Sequence, residues 1–428
     1  MKKIFYFILI LLVYFGVILV FESQAKSEEN NLTPIELLGK NLFFDANLST
    51  PIGQSCAACH DPETGFTGPL SDLNTHGAVY EGAVTSRFGN RHPPTAAYAG
   101  ESPPLFYNET LFQWIGGMFF DGRATGWTLG DPLAEQAQAP FLNPLEQNNL
   151  NSTTLVEKVR LSNYSNLFEQ VWGYGSLDNI EEAYEKIGRS IAAYERSDEV
   201  NPFTSKYDFY LNGQTELTVT ELLGLELFQN KANCESCHTS EPNSNGEPPL
   251  FTDFSYRNVG IPKNPENPFY SMPLEWNPER EDYIDYGLGG FLKNNNYSSA
   301  IYESKLGAQK VPTLRNVDLR PDEQFVKSYG HNGYFKNLED IIHFYNTRDV
   351  EDWPEPEVSV NMDSMFMGNL GLTSEEETSL VAFLKTLSDG YKIETTFSSE
   401  MIIYIAIIST TVILIIFAII KRRKNITD

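Results

Sequence analysis

Thr33-Pro-Ile-Glu36-Leu-Leu-Gly39-Lys-Asn-Leu42-Phe43 and Thr218-Val-Thr-Glu221-Leu-Leu-Gly224-Leu-Glu-Leu227-Phe228 are one pattern written twice. Each copy opens with Thr-x-x-Glu, the capping-box signature of a helix start, and continues with leucines at helical spacing. A Cys-x-x-Cys-His run follows each copy, Cys56-Ala-Ala-Cys59-His60 in the first and Cys234-Glu-Ser-Cys237-His238 in the second. An amphipathic stretch closes each half, Ile180 to Arg196 and Ser374 to Leu387. One unit of helix, cysteine motif and closing helix therefore occurs twice, and the expected fold is all-α with long loops.

The chain has only four cysteines, and all four fall in these two motifs. Two thiols three residues apart can each add to a haem vinyl group, and the adjacent His then reaches the iron. A zinc ribbon sets its cysteine pairs roughly 15–20 residues apart, far closer than Cys59 and Cys234. A thioredoxin-like pair has no use for the His. The motifs therefore predict two covalently bound c-type haems, held by Cys56, Cys59, Cys234 and Cys237, with His60 and His238 as iron ligands.

Composition sets the context. At 428 residues the chain is long enough for more than one domain, and 41% hydrophobic content fills real cores. Its net charge of −26, with 31 basic residues against 57 acidic ones, excludes nucleic acid as a partner and suits a basic electron carrier. Lys2 and Lys3 precede an apolar run ending near Ser23-Gln24-Ala25, so 1–25 reads as a signal peptide or N-terminal anchor. Met401 to Ile420 is an uncharged run followed by Lys421-Arg422-Arg423-Lys424. It predicts a C-terminal transmembrane helix over 401–420, with a cytoplasmic tail and the haem-bearing part outside the cytoplasmic membrane. Between these ends, domains are expected over 31–200 and 201–390. The Pro-, Asn- and Gly-rich stretch from Thr239 to Gln309 reads as ordered loop.

Further motifs carry a resemblance. Met118-Phe-Phe-Asp121-Gly122-Arg123-Ala124, Gln136-Ala-Gln-Ala-Pro140-Phe-Leu-Asn143-Pro-Leu-Glu146, Val311-Pro312-Thr-Leu-Arg315-Asn316 and His331-Asn332-Gly333 resemble the bacterial di-haem cytochrome c peroxidases and the related MauG family. The resemblance implies two cytochrome c-like domains. The N-terminal haem would react with hydrogen peroxide, and the C-terminal one would take electrons from a cytochrome c or similar small donor. Asp131-Pro132 opens a helix that Pro140 is expected to stop, which would present Gln136 and hang Glu146 over the first haem. Glu146 then acts as acid and base on the peroxide, with Gln136 in the same pocket and Arg123 paired with haem propionates or a buried acid.

The resemblance also marks departures. His76 and Gly77 resemble the loop whose His caps the first haem in the classical peroxidases, although the loop up to Arg91 is longer here. The segment Val326-Lys-Ser-Tyr329-Gly330-His331 has no Met where those enzymes place one on the second haem. Tyr329 lies where the MauG family carries a tyrosinate ligand, with Met272, Met365 and His331 as alternatives. Phe120 replaces the Trp that stands between the haems in relatives. His92 replaces the Asn of an interdomain calcium site, which puts calcium in question, and Asn90 is the nearby substitute. Three functions stay open: peroxide reduction, a MauG-like oxidation of a partner protein through a high-valent iron state, and electron transfer without catalysis.

Overall fold

The repeated pattern folds as repeated structure. The computed structural model describes residues 32–393 and residue 418. Helices α1 (Pro34–Phe44), α2 (Ser71–Thr75), α3 (Pro132–Leu142), α4 (Ser152–Arg160), α5 (Ser165–Trp172) and α6 (Ile180–Glu195) build the first half. Helices α7 (Lys206–Leu211), α8 (Val219–Gln229), α9 (Gly287–Asn294), α10 (Ser299–Tyr302), α11 (Leu338–Thr347) and α12 (Ser374–Lys385) build the second. Helices α1 and α8 both begin with a capping box, as their Thr-x-x-Glu openings predict.

The two helix pairs α1/α6 and α8/α12 cross by the same device. A Cβ on Gly39 would lie 1.9 Å from the Ser190 carbonyl oxygen, and one on Gly224 would lie 1.9 Å from that of Ser379. Only glycine lets the helix backbones meet this closely, which explains the glycine in each copy of the repeat. Leu38, Leu42, Phe43, Ile187 and Ile191 fill the first core, and Leu225, Phe228, Phe344, Leu380 and Phe383 the second.

The structure corrects the expected fold class. About 37% of it is helical, and it contains two antiparallel two-stranded sheets, so it is not all-α. Strand β1 (Phe106–Asn108) pairs with β2 (Gln113–Ile115), and β3 (Tyr256–Arg257) with β4 (Gln309–Lys310). Much of the polar, Gly- and Pro-rich sequence between the cysteine motifs and the closing helices satisfies its backbone in turns and short ladders rather than in helix. The expected transmembrane helix is corrected too: among the described residues no helix is long and apolar enough to cross a membrane. The 401–420 run lies outside the described residues except for Ala418, as does 1–25.

Two local expectations also change. Pro140 lies inside α3, which continues to Leu142 and ends at Asn143. The stretch from Thr239 to Gln309 holds α9 and α10; Leu288 and Leu292, one helical turn apart, bury against Leu105 and Trp114. Its glycines hid that helix from a periodicity reading.

The halves meet along a buried polar seam. Arg91 donates from Nε and Nη2 to Asp285 at 2.6 and 2.7 Å, and its Nη1 lies 2.8 Å from Asp121. Lys327 Nζ reaches across to the Thr64 carbonyl at 2.6 Å while also donating to Asn316 and Leu319. Burial alone would raise the Asp285 carboxyl, but Arg91 overrides it and holds the group well below the usual carboxylate range. A depressed acid stabilises the fold above its unfolded value of about 4 and loses that contribution only as pH falls through the folded value. Melting temperatures measured from pH 7 downward should therefore show the wild type ahead of Asp285→Asn at neutral pH. That lead should shrink once the pH drops below about 4.

Candidate active site

Each cysteine motif forms a 3-10 turn directly after its repeat helix, Cys56–Ala58 after α1 and Cys234–Ser236 after α8. The following histidines are held alike. His60 Nδ1 lies 3.1 Å from the Phe66 carbonyl oxygen, and His238 Nδ1 lies 2.7 Å from that of Phe251. Phe66 and Phe251 both sit at positive φ, 57° and 54°, which turns the carbonyls inward. Behind them, Thr95 Oγ1 donates to the Gly65 carbonyl at 2.8 Å, and Thr313 Oγ1 to that of Leu250 at 2.6 Å. An Nδ1–H engaged this way leaves Nε2 free for iron and fixes the ring's orientation. Sequence reasoning missed this second layer, although the paired Pro94-Thr95 and Pro312-Thr313 dipeptides carry its signal.

Two cavities open beside these turns, with about 1190 Å³ of empty space at Cys56 and about 1860 Å³ at Cys234, mouths included. His92, Pro93, Pro94, Thr95 and Phe120 line both, so this segment and Phe120 form the wall between them. The residues fit a covalently attached haem at each place. All four cysteines are free, and burial pushes the Cys59 and Cys234 thiols up to about 12. Burial also lowers both histidines, keeping them neutral for iron. Among the buried polar atoms without partners, Arg257 Nε and Gln309 Nε2 beside the second cavity are donors of the kind a haem propionate accepts from.

The first cavity brings Glu146 and Gln136 together with Cys56, Cys59 and His60. Asp131 caps α3 by accepting from Leu133 and Ala134, and this fixes the helix that carries Gln136. Glu146 is held through its backbone, whose N–H donates to the Asn143 carbonyl at 3.0 Å and whose carbonyl accepts from Ala83 at 2.7 Å. Gly82 permits this approach, since a Cβ there would lie 2.3 Å from the Leu145 carbonyl oxygen. Burial raises the Glu146 carboxyl above its ordinary value, against the opposing pull of Arg123. Arg123 itself pairs with Asp121 at 2.9 Å and stacks 3.8 Å over the Phe119 ring.

His76 stands apart. It is exposed, with Nδ1 3.4 Å from Glu266, and it is not among the residues lining the first cavity. Tyr329 is buried in the wall of the second cavity, where its hydroxyl accepts from Arg320 Nη2 at 3.3 Å. His331 shares that wall, with Nε2 3.2 Å from Glu357. Met272 is buried in a separate cluster and Met365 is exposed, whereas Met367, which the sequence did not single out, lines the cavity. Asn90 donates to the Tyr283 hydroxyl at 2.6 Å, and among the described residues no group of three or more His, Cys, Asp or Glu gathers to hold a cation.

Comparison with known proteins agrees with this geometry. Residues 34–216 match the family described as di-haem cytochrome c peroxidase. The chain is 34% identical to a methylamine utilization protein MauG from Paracoccus denitrificans (strain Pd 1222), over 86% of this chain and 91% of that protein. It is 26% identical to a cytochrome-c peroxidase IdrP2 from Denitromonas iodatirespirans, over 86% of this chain and 84% of that protein. Among solved structures, the diheme peroxidase BthA from Burkholderia thailandensis E264 superposes with a TM-score of 0.70 at 31% identity, covering 83% of this chain and 86% of that one.

Proposed function

Because this chain belongs to the di-haem cytochrome c peroxidase and MauG family, oxidoreductases with two c-type haems, we propose that it reduces hydrogen peroxide to water with electrons from a cytochrome c or similar small donor. The observation that carries the proposal is Glu146, raised by burial, in the wall of the cavity that also holds Cys56, Cys59, His60 and Gln136. When bound, the first haem supplies an iron that takes up peroxide, and the second supplies a store for an electron. His60, whose ring is fixed by the Phe66 carbonyl, would hold the iron. Glu146 takes the proton from one peroxide oxygen and returns it to the leaving oxygen, which a carboxyl freed from water can do without competing solvent. Gln136 orients the peroxide by hydrogen bonding. Pro93, Pro94, Thr95 and Phe120, which line both cavities, would stand between the two haems, whose joint role would be to pass electrons from the second to the first.

His76, exposed and outside the cavity, would need its loop to move before it could reach the iron, so the arrangement supports an open first site. Attachment of c-type haem takes place outside the cytoplasmic membrane, which supports an extracytoplasmic place of action.

Tyr329 favours a second reading, a MauG-like oxidation of a partner protein. A phenolate ligand steadied by Arg320 would favour the ferric state of the second haem and lower its potential. Replacing Tyr329 with Phe should then shift the ferric spectrum and potential of the second haem and leave the first unchanged. Met367→Leu should shift neither; the opposite pattern would move the ligand to Met367. Stopped-flow spectra with peroxide test the function itself: a change at the haems is expected, and none before or after partial reduction would sink both enzymatic readings.

A further inference from the structure

The internal repeat gives the closing helix α6 of the first half a counterpart, α12, in the second, and one pair of cavity-lining positions on them differs in kind. Gly39 meets Ser190 and the Cβ of Tyr194, while Gly224 meets Ser379 and the Cβ of Phe383, at the same distances of 1.9 and 2.8 Å. Tyr194 therefore corresponds to Phe383, and the next residue, Glu195, to Leu384. Both are 4% exposed, and each lines the cavity of its own half. At one structural position the second half buries a leucine and the first half buries a carboxylic acid whose Oε2 has no hydrogen-bond partner.

A buried, unpartnered carboxyl costs stability that the leucine version does not. Its surroundings do not neutralise it by pairing. The charged groups that act on it are Arg196, at the end of its own helix, which pulls it down, and Asp131 of the α3 cap, which pushes it up and is ion-paired with Arg196 at 2.8 Å; Glu195 in turn raises Tyr194 and the Cys56 thiol. Glu146, Arg123 and His60 share its cavity. Burial is the dominant influence and pushes the carboxyl up to about 8, so at neutral pH it carries a proton.

We propose that Glu195 is a second working acid of the first cavity, a proton-supplying group that holds a proton there for the reaction Glu146 serves. The inference rests on the peroxide reading, whose balance creates the need. Reducing one H2O2 to two H2O breaks the O–O bond and consumes two electrons, from the reduced donor, and two protons. Glu146 moves a proton from one oxygen to the other and supplies none on balance. Glu195 provides one from within and solvent supplies the other, and solvent then reprotonates Glu195, whose neighbours Arg196 and Asp131 are partly exposed.

The test uses the haem-loaded protein without peroxide. The midpoint potentials of both haems are titrated against pH in the wild type, Glu195→Gln and Glu195→Leu, and the protonated carboxyl is followed by reduced-minus-oxidised infrared difference spectroscopy. The expected result is a pH-dependent first-haem potential around pH 8 and a carboxyl band in the wild type, both lost in the two variants, with the second haem unaffected. Glu195→Leu, the residue that the second half already accommodates, should also melt higher than the wild type. That gain should grow between about pH 5 and 8, because a raised acid loses stability as pH rises from its unfolded toward its folded value. An unchanged pH slope or a retained band in the variants would overturn the proposal. A wild type that shows the slope and the band but does not react with peroxide would sink the peroxide reading alone.

Discussion

Replacing Glu146 with Gln lowers peroxide turnover by about 10²- to 10⁴-fold while both haems stay attached. The amide matches the carboxyl in shape, and the backbone bonds to Asn143 and Ala83 that hold the segment are unaffected. What Gln cannot do is accept and return a proton. The loss should therefore appear in kcat far more than in KM, with haem spectra at rest like those of the wild type. Wild-type kcat in this variant, measured with a reduced donor and saturating peroxide, would remove Glu146 from the chemistry.

Replacing Arg315 with Met destabilises the fold by about 3–5 kcal/mol. Arg315 is fully buried, donates to both carboxylate oxygens of Asp208 at 2.9 Å, and donates from Nε to the Pro249 carbonyl at 2.7 Å. Its guanidinium also lies 4.6 Å from the Phe203 ring and 5.1 Å from that of Tyr98. Met fills the space but leaves Asp208, 3% exposed on α7, as a buried charge without its partner. Denaturant unfolding should show the loss, and Asp208→Leu combined with Arg315→Met should recover part of it, because removing both charges ends the penalty. If the single variant unfolds at the wild-type midpoint, the pair contributes nothing.

The parts legible in the sequence are those written in local chemistry. Capping boxes mark α1 and α8, the Cys-x-x-Cys-His runs mark both cavities, and the amphipathic stretches at Ile180 and Ser374 fold as the closing helices. Glu146 and Gln136, assigned through a resemblance, do share one wall. The parts that were not legible depend on contacts far apart in the chain. Glu195 reads as one acid among many at the end of an amphipathic helix, and only its repeat partner Leu384 sets it apart. Lys327 looks like a surface cation, yet it spends its charge on carbonyls from both halves. Pro140 reads as the end of α3, but the helix absorbs it within its last turn, where fewer backbone bonds are at stake.

The central claim is that the two cavities work together as a peroxide-reducing pair of haems. Steady-state peroxide consumption with reduced cytochrome c as the donor tests it most directly. Two equivalents of cytochrome c should be oxidised for each hydrogen peroxide consumed, at a rate that collapses in Glu146→Gln. Peroxide that persists beside reduced cytochrome c, or donor oxidation that is the same with and without the protein, would contradict it.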